Sequence, residues 1–135
     1  MKSSKALKAI LLVSGLIAAG IGGAILVVPE AFYASYGIDL GGNVSLLNEI
    51  RAPGGALLAA GILIISGSFV ASLTFTALVV ASLLYLSYGL SRILSFVIDG
   101  MPAEGLVQAA ALELVVGMFC VFALLRNRAK QKASA

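Results

Sequence analysis

The chain has 135 residues, 61% of them apolar and only 11% charged, against roughly 25% charged in soluble domains. A mean hydropathy of +1.10 excludes an ordinary soluble fold. With no His and a single Cys, Cys120, there is no Cys/His metal set, no His-centred acid-base chemistry and no internal disulfide. The net charge of +3 does not point to nucleic acid, because the charges cluster at the chain ends.

The first apolar run, 7–28, has the length of one membrane-crossing helix, about 33 Å at 1.5 Å per residue. Lys2, Lys5 and Lys8 around its start resemble a signal-peptide start, but the run exceeds the h-region of such peptides, so it is expected to persist as span one. Small residues recur along it: Gly15, Ala19 and Gly23, with Ser14, Ala18 and Gly22 beside them. Such stripes pack helices closely in lipid, here within the chain or as a dimer seam.

Pro29 and Glu30 end the run, and Phe32, Tyr33 and Tyr36 follow before Gly37. Aromatic rings favour the headgroup level, so a short interfacial helix is expected there, with an aromatic loop as the alternative. Span two is placed at 44–66. Pro53 lies inside it, removing an amide donor and predicting a kink or break. Span three covers 73–98, a turn follows at Asp99, Gly100, Met101 and Pro102, and span four covers 104–125. Residues 126–135 read as a solvated basic tail.

The fold class is therefore all-α: one domain over 1–135, a polytopic four-helix transmembrane bundle with a short interfacial helix after span one. Lys and Arg are retained on the cytoplasmic side, and both ends are basic, so both termini are expected in the cytoplasm, at the inner (plasma) membrane of a bacterium. Glu30, Asp39, Asp99 and Glu104 then fall outside.

Four charges remain inside the predicted spans: Glu49, Arg51, Arg92 and Glu113. An isolated ion at mid-helix costs about 2.5–3.5 kcal/mol on insertion scales, which favours pairing. All four lie about 8–14 Å from the outer ends of their helices, counted at 1.5 Å per residue. They are expected to form one polar cluster with Tyr85 and Tyr88, which share a face with Arg92. Arg92 should pair with Glu113 or Glu49. Glu49 is expected to face inward, whereas Arg51 either faces inward or snorkels to the surface.

Such a cluster reads as a pocket for a small polar or amphiphilic ligand, such as a lipid headgroup or a quinone head, or as a clasp fixing helix register. A conducting pore is disfavoured, because little polar continues through the inner half. Proton-coupled transport through Glu113 or Glu49 is the alternative function, and a subunit role in a homo-oligomer or membrane complex is a further one. No nucleophile-base pair, metal set or phosphate-cradling loop occurs, so neither an enzyme nor a cofactor is expected, and the bilayer is the expected partner.

The segment Asn48, Glu49, Ile50, Arg51, Ala52, Pro53, Gly54, Gly55, placed after a Pro-closed first span and an aromatic connector, resembles short bacterial four-span proteins grouped as a domain of unknown function. The resemblance implies a four-helix inner-membrane protein and no chemistry. A weaker similarity is to DoxX-like four-span proteins, some tied to quinone or thiol redox systems, though this chain has no Cys pair. Small multidrug transporters share the length, but their hallmark is a carboxylate in span one, where this chain has none.

Overall fold

A computed structural model describes residues 4–135. Lys2, one of the charges used for orientation, lies outside the described residues. The architecture is all-α, with four long apolar helices forming a transmembrane bundle.

α1 (Lys5–Val27) starts where the Ser4 side chain accepts the Leu7 amide at 3.1 Å, satisfying one of the unpaired donors of the first turn. It stops at Val28, and Pro29 opens the six-residue α2 (Pro29–Ala34), where a missing amide carries no penalty. The chain reverses through Gly37, Gly41 and Gly42, all at positive φ, where a Cβ would be strained. Asp39 Oδ1 accepts from the Gly41 amide at 2.8 Å, and Asn43 then caps α3 (Val44–Phe69) by accepting from Leu46 at 3.1 Å.

Of the kink or break expected at Pro53, the break does not occur: α3 runs through it as one helix. The reason lies in its neighbour, since a Cβ on Gly54 would fall 2.6 Å from Ile25 Cγ2. Close packing on α1 thus holds the backbone on both sides of the lost hydrogen bond.

A 3-10 turn at Ala71–Leu73 leads into α4 (Thr74–Asp99), and Gly100 at φ 96° ends that helix. α5 (Glu104–Ser134) continues far past the apolar run, so the basic tail is helical rather than irregular. Its Arg, Ala, Lys and Gln residues are strong helix formers with no Gly or Pro among them, and cations suit the C-terminal end of a helix dipole.

The bundle consists of two close antiparallel pairs, α1 with α3 and α4 with α5, joined through the short α3 to α4 turn. In the first pair, a Cβ on Gly15 would sit 2.8 Å from the Ile65 amide nitrogen, and Gly22 and Gly61 abut Leu58 and Ala19 just as tightly. In the second pair, Gly89 packs on Leu114 and Gly117 on Leu86. The small-residue stripe of α1 is thus used within the chain, through Gly15 and Gly22; Gly23 faces open space.

The core fills the half of the bundle away from α2, with Leu11, Ile64, Leu78 and Cys120 at 0% exposure. Val13, Leu16, Ile62, Leu83, Leu90 and Met118 are exposed around the outside. In water such a belt would drive aggregation; here it matches the hydrocarbon of a bilayer.

Candidate functional site

Towards α2 a cavity of about 720 Å³ lies between the four helices. Its floor is a layer containing Ala18, Leu57 and Tyr85, which pack as a buried cluster above the main core. The Tyr85 hydroxyl donates to the Ser14 carbonyl, which ties α4 to α1 beneath the cavity and satisfies a buried phenol. Ile17, Ile21 and Ile25 of α1 and Leu106 and Leu112 of α5 supply apolar walls.

The polar groups gather on one side. Arg92 of α4 gives its Nε hydrogen to Glu113 of α5, with Nε 2.8 Å from Oε2 and 3.1 Å from Oε1. The two side chains are 31% and 15% exposed, so water screens the pair only partly. Only Nε is engaged: among the described residues the Nη groups of Arg92 have no hydrogen-bond acceptor. A guanidinium held this way is fixed in direction while most of its donors remain unspent. Tyr88 stands one turn before Arg92 and also lines the cavity, as does Gln108, whose Nε2 reaches Glu104 at 3.4 Å.

α2 closes the rim. Phe32 meets Tyr33 edge to face at 5.4 Å between centroids and Tyr36 at 5.5 Å, so it braces both tyrosines. All three line the cavity, and Tyr36 sits against Gly105, where a Cβ would be 3.0 Å from the ring. Burial raises the pKa of the Tyr33 phenol; Tyr88 adds to the rise and Arg92 opposes it. Tyr33 is therefore a neutral hydrogen-bond donor at physiological pH.

Of the residues that sequence places in one cluster, Arg92, Glu113, Tyr85 and Tyr88 meet at this cavity and Pro53 forms part of its wall. Glu49 and Arg51 do not. α3 presents Ile50, Pro53, Gly54 and Leu57 to the cavity, the i, i+3, i+4, i+7 face of the helix. Residues 49 and 51 stand about 100° to either side of that face, which corrects the expectation of an inward Glu49. Glu49 is exposed and in no ion pair among the described residues. Arg51 is also exposed, and its Nε donates to the Leu26 carbonyl at 3.0 Å, supporting the last turn of α1.

Sequence reasoning left Phe32, Tyr33, Tyr36 and Gln108 out of the site. The three aromatics are visible as a cluster, but hydropathy places them at the membrane surface and cannot show that α2 folds back over the bundle. The cavity can hold a molecule with an apolar body and a hydrogen-bonding head, and its size lies within the roughly 300–1,000 Å³ of small-molecule pockets.

No curated protein and no solved structure matches the chain in the comparisons made. One family does, and it spans nearly the whole bundle: with residues 6–124 matched, this chain belongs to the family described as a domain of unknown function (DUF4345).

Proposed function

We propose that this protein is a small integral membrane protein of the bacterial inner membrane that binds an amphiphilic molecule, with the α2 end of the bundle in the outer leaflet and both termini in the cytoplasm. The orientation is supported by charge: Lys5 and Lys8 lie in the first turn of α1, Arg126, Arg128, Lys130 and Lys132 close α5, and every acidic residue lies towards the α2 end.

The observation that carries the reading is the cavity's division into a large apolar wall and one polar side, where Arg92 is oriented by Glu113 with its Nη groups unspent. The ion pair sums to zero charge, and Tyr33, Tyr88 and Nη supply donors beside it. A neutral head rich in acceptors, such as the carbonyls of a quinone or of a glycerol ester, suits this set, and its chain would lie along Ile17, Ile21 and Leu112. Binding rather than turnover is the proposed activity. Below the Tyr85 layer the core is fully packed, which favours a closed-ended site over a transport path.

Thermal stabilisation of the purified protein by a short-chain quinone or a diacylglycerol tests this reading. Saturable stabilisation of the wild type that is lost in Arg92→Gln and kept in Arg51→Gln is expected. If neither compound stabilises the wild type more than Arg92→Gln, the reading fails.

The pair also joins α4 to α5, which supports a second, purely structural role. Exchanging the two residues, Arg92→Glu with Glu113→Arg, separates the two readings. A clasp restores both folding and cellular function on exchange, whereas a ligand site restores folding alone.

A further inference from the structure

At the opposite end of the bundle lies a second cavity, of about 360 Å³, with a different chemistry. Its walls are the first turns of α1, the 3-10 turn with the start of α4, and α5 beyond Phe122. Arg126 and Lys130 line it, together with the neutral side chains of Ser4, Ser72, Asn127 and Gln131; none of the six carboxylates does.

Two observations describe the donors around it. The Asn127 Nδ2 is buried and has no hydrogen-bond partner among the described residues, an arrangement that folded proteins normally avoid. The Arg126 guanidinium carbon lies 5.8 Å from the centroid of the Phe122 ring, a cation-π contact that steadies the charge beside the cavity. The first turn of α1 adds its positive dipole end beside Ser4, whose side chain accepts from the Leu7 amide and whose carbonyl accepts from Lys8.

The cavity also sits at the boundary between apolar and polar surface. Leu7, Ile10 and Ala123 form its inner wall, while Lys130 and Gln131 form its outer one. A ligand filling it meets cationic and amide donors at one end and hydrocarbon at the other.

We infer that this cavity binds the phosphate of an anionic phospholipid, with Arg126, Lys130 and the Asn127 amide as donors and an acyl chain against Leu7 and Ile10. The orphaned amide gains an acceptor, and the two cations gain a counter-charge where no carboxylate of the chain reaches. This site is separate from the cavity proposed above for a neutral amphiphile, and either can stand without the other.

The test uses the full-length protein in neutral detergent, titrated with phosphatidylglycerol, phosphatidylcholine or inorganic phosphate. Thermal unfolding reports affinity, and native mass spectrometry reports the number of lipids retained. Phosphatidylglycerol is expected to stabilise saturably, with one lipid retained, and phosphatidylcholine to do neither. Arg126→Gln and Lys130→Gln should each weaken phosphatidylglycerol by about fivefold, and Arg128→Gln and Lys132→Gln, which lie off the cavity, by less than about twofold. Asn127→Leu should weaken the lipid while leaving the lipid-free protein at least as stable, because it removes the unpaired donor; this variant keeps the test decisive if a charge variant folds poorly. Equal losses across all four charge variants, or equal binding of phosphatidylcholine, overturn the site. Equal stabilisation by inorganic phosphate keeps a phosphate site but overturns its assignment to lipid.

Discussion

Arg92 and Glu113 are joined through Nε alone, 2.8 Å from the nearer carboxylate oxygen, across the seam between α4 and α5. The seam does not depend on this bond, because Gly89 and Gly117 already bring the two backbones together against Leu114 and Leu86. Breaking the pair should therefore cost less than the 3–5 kcal/mol typical of a fully buried one. With Arg92 31% exposed, Arg92→Gln is expected to destabilise by about 1–2 kcal/mol. The double variant Arg92→Gln with Glu113→Gln should recover most of that loss, because neither charge is left alone. Reversible unfolding in detergent, run as a double-mutant cycle, measures it.

The seam between α1 and α3 should be less forgiving. A Cβ at Gly22 or Gly61 meets backbone atoms of the opposing helix, which cannot rotate away. Gly22→Ala and Gly61→Ala are expected to lose about 1–3 kcal/mol through forced separation of the helices. Gly20 and Gly23, on the same helix as Gly22, have nothing within 4 Å of an added Cβ. Gly20→Ala and Gly23→Ala should be neutral or gain up to about 1 kcal/mol from better helix propensity. The contrast is read from unfolding midpoints of the four single variants.

These glycines mark how far sequence alone could see. The four helices are legible because apolar runs of membrane length, separated by Pro, Gly and charge, admit few other folds. The choice of Gly15 and Gly22 over Gly23 is not legible, because it depends on which face of α1 meets α3. The site divides in the same way. Tyr85, Tyr88 and Arg92 fall on one helical face and stay together in the fold, and Glu113 lies opposite them at matching depth. Glu49 also matches in depth, but its angle around α3 turns it away from the cavity, and depth counted in residues carries no information about that angle.

Tyr33 gives a signature in alkaline solution. Its phenol is partly buried beside Phe32, so its pKa is raised in the folded protein. A raised value means that the neutral phenol is favoured by folding: the contribution is fully present below the unfolded value near 10 and is lost as pH rises through the folded value. Wild-type stability should therefore fall from about pH 10 upward more steeply than that of Tyr33→Phe. Tyrosinate absorbance followed in both proteins should show one late-ionising phenol missing from the variant. Identical titration curves would place Tyr33 in solvent and remove it from the cavity rim.

Arg51 supplies the complementary case, a charged residue beside the site that should leave binding alone. Its Nε reaches back to the Leu26 carbonyl, one of the acceptors left unpaired at the end of α1. The side chain is exposed, so removing it strands no buried charge. Arg51→Gln is expected to loosen the α1 to α2 junction by about 0.5–1 kcal/mol, the net worth of an ordinary hydrogen bond. Hydrogen exchange should rise locally, over residues 24–28, with protection in α4 and α5 unchanged. Affinity for any ligand of the large cavity should match the wild type, because Ile50, Pro53 and Leu57, rather than Arg51, form the face that α3 turns towards it.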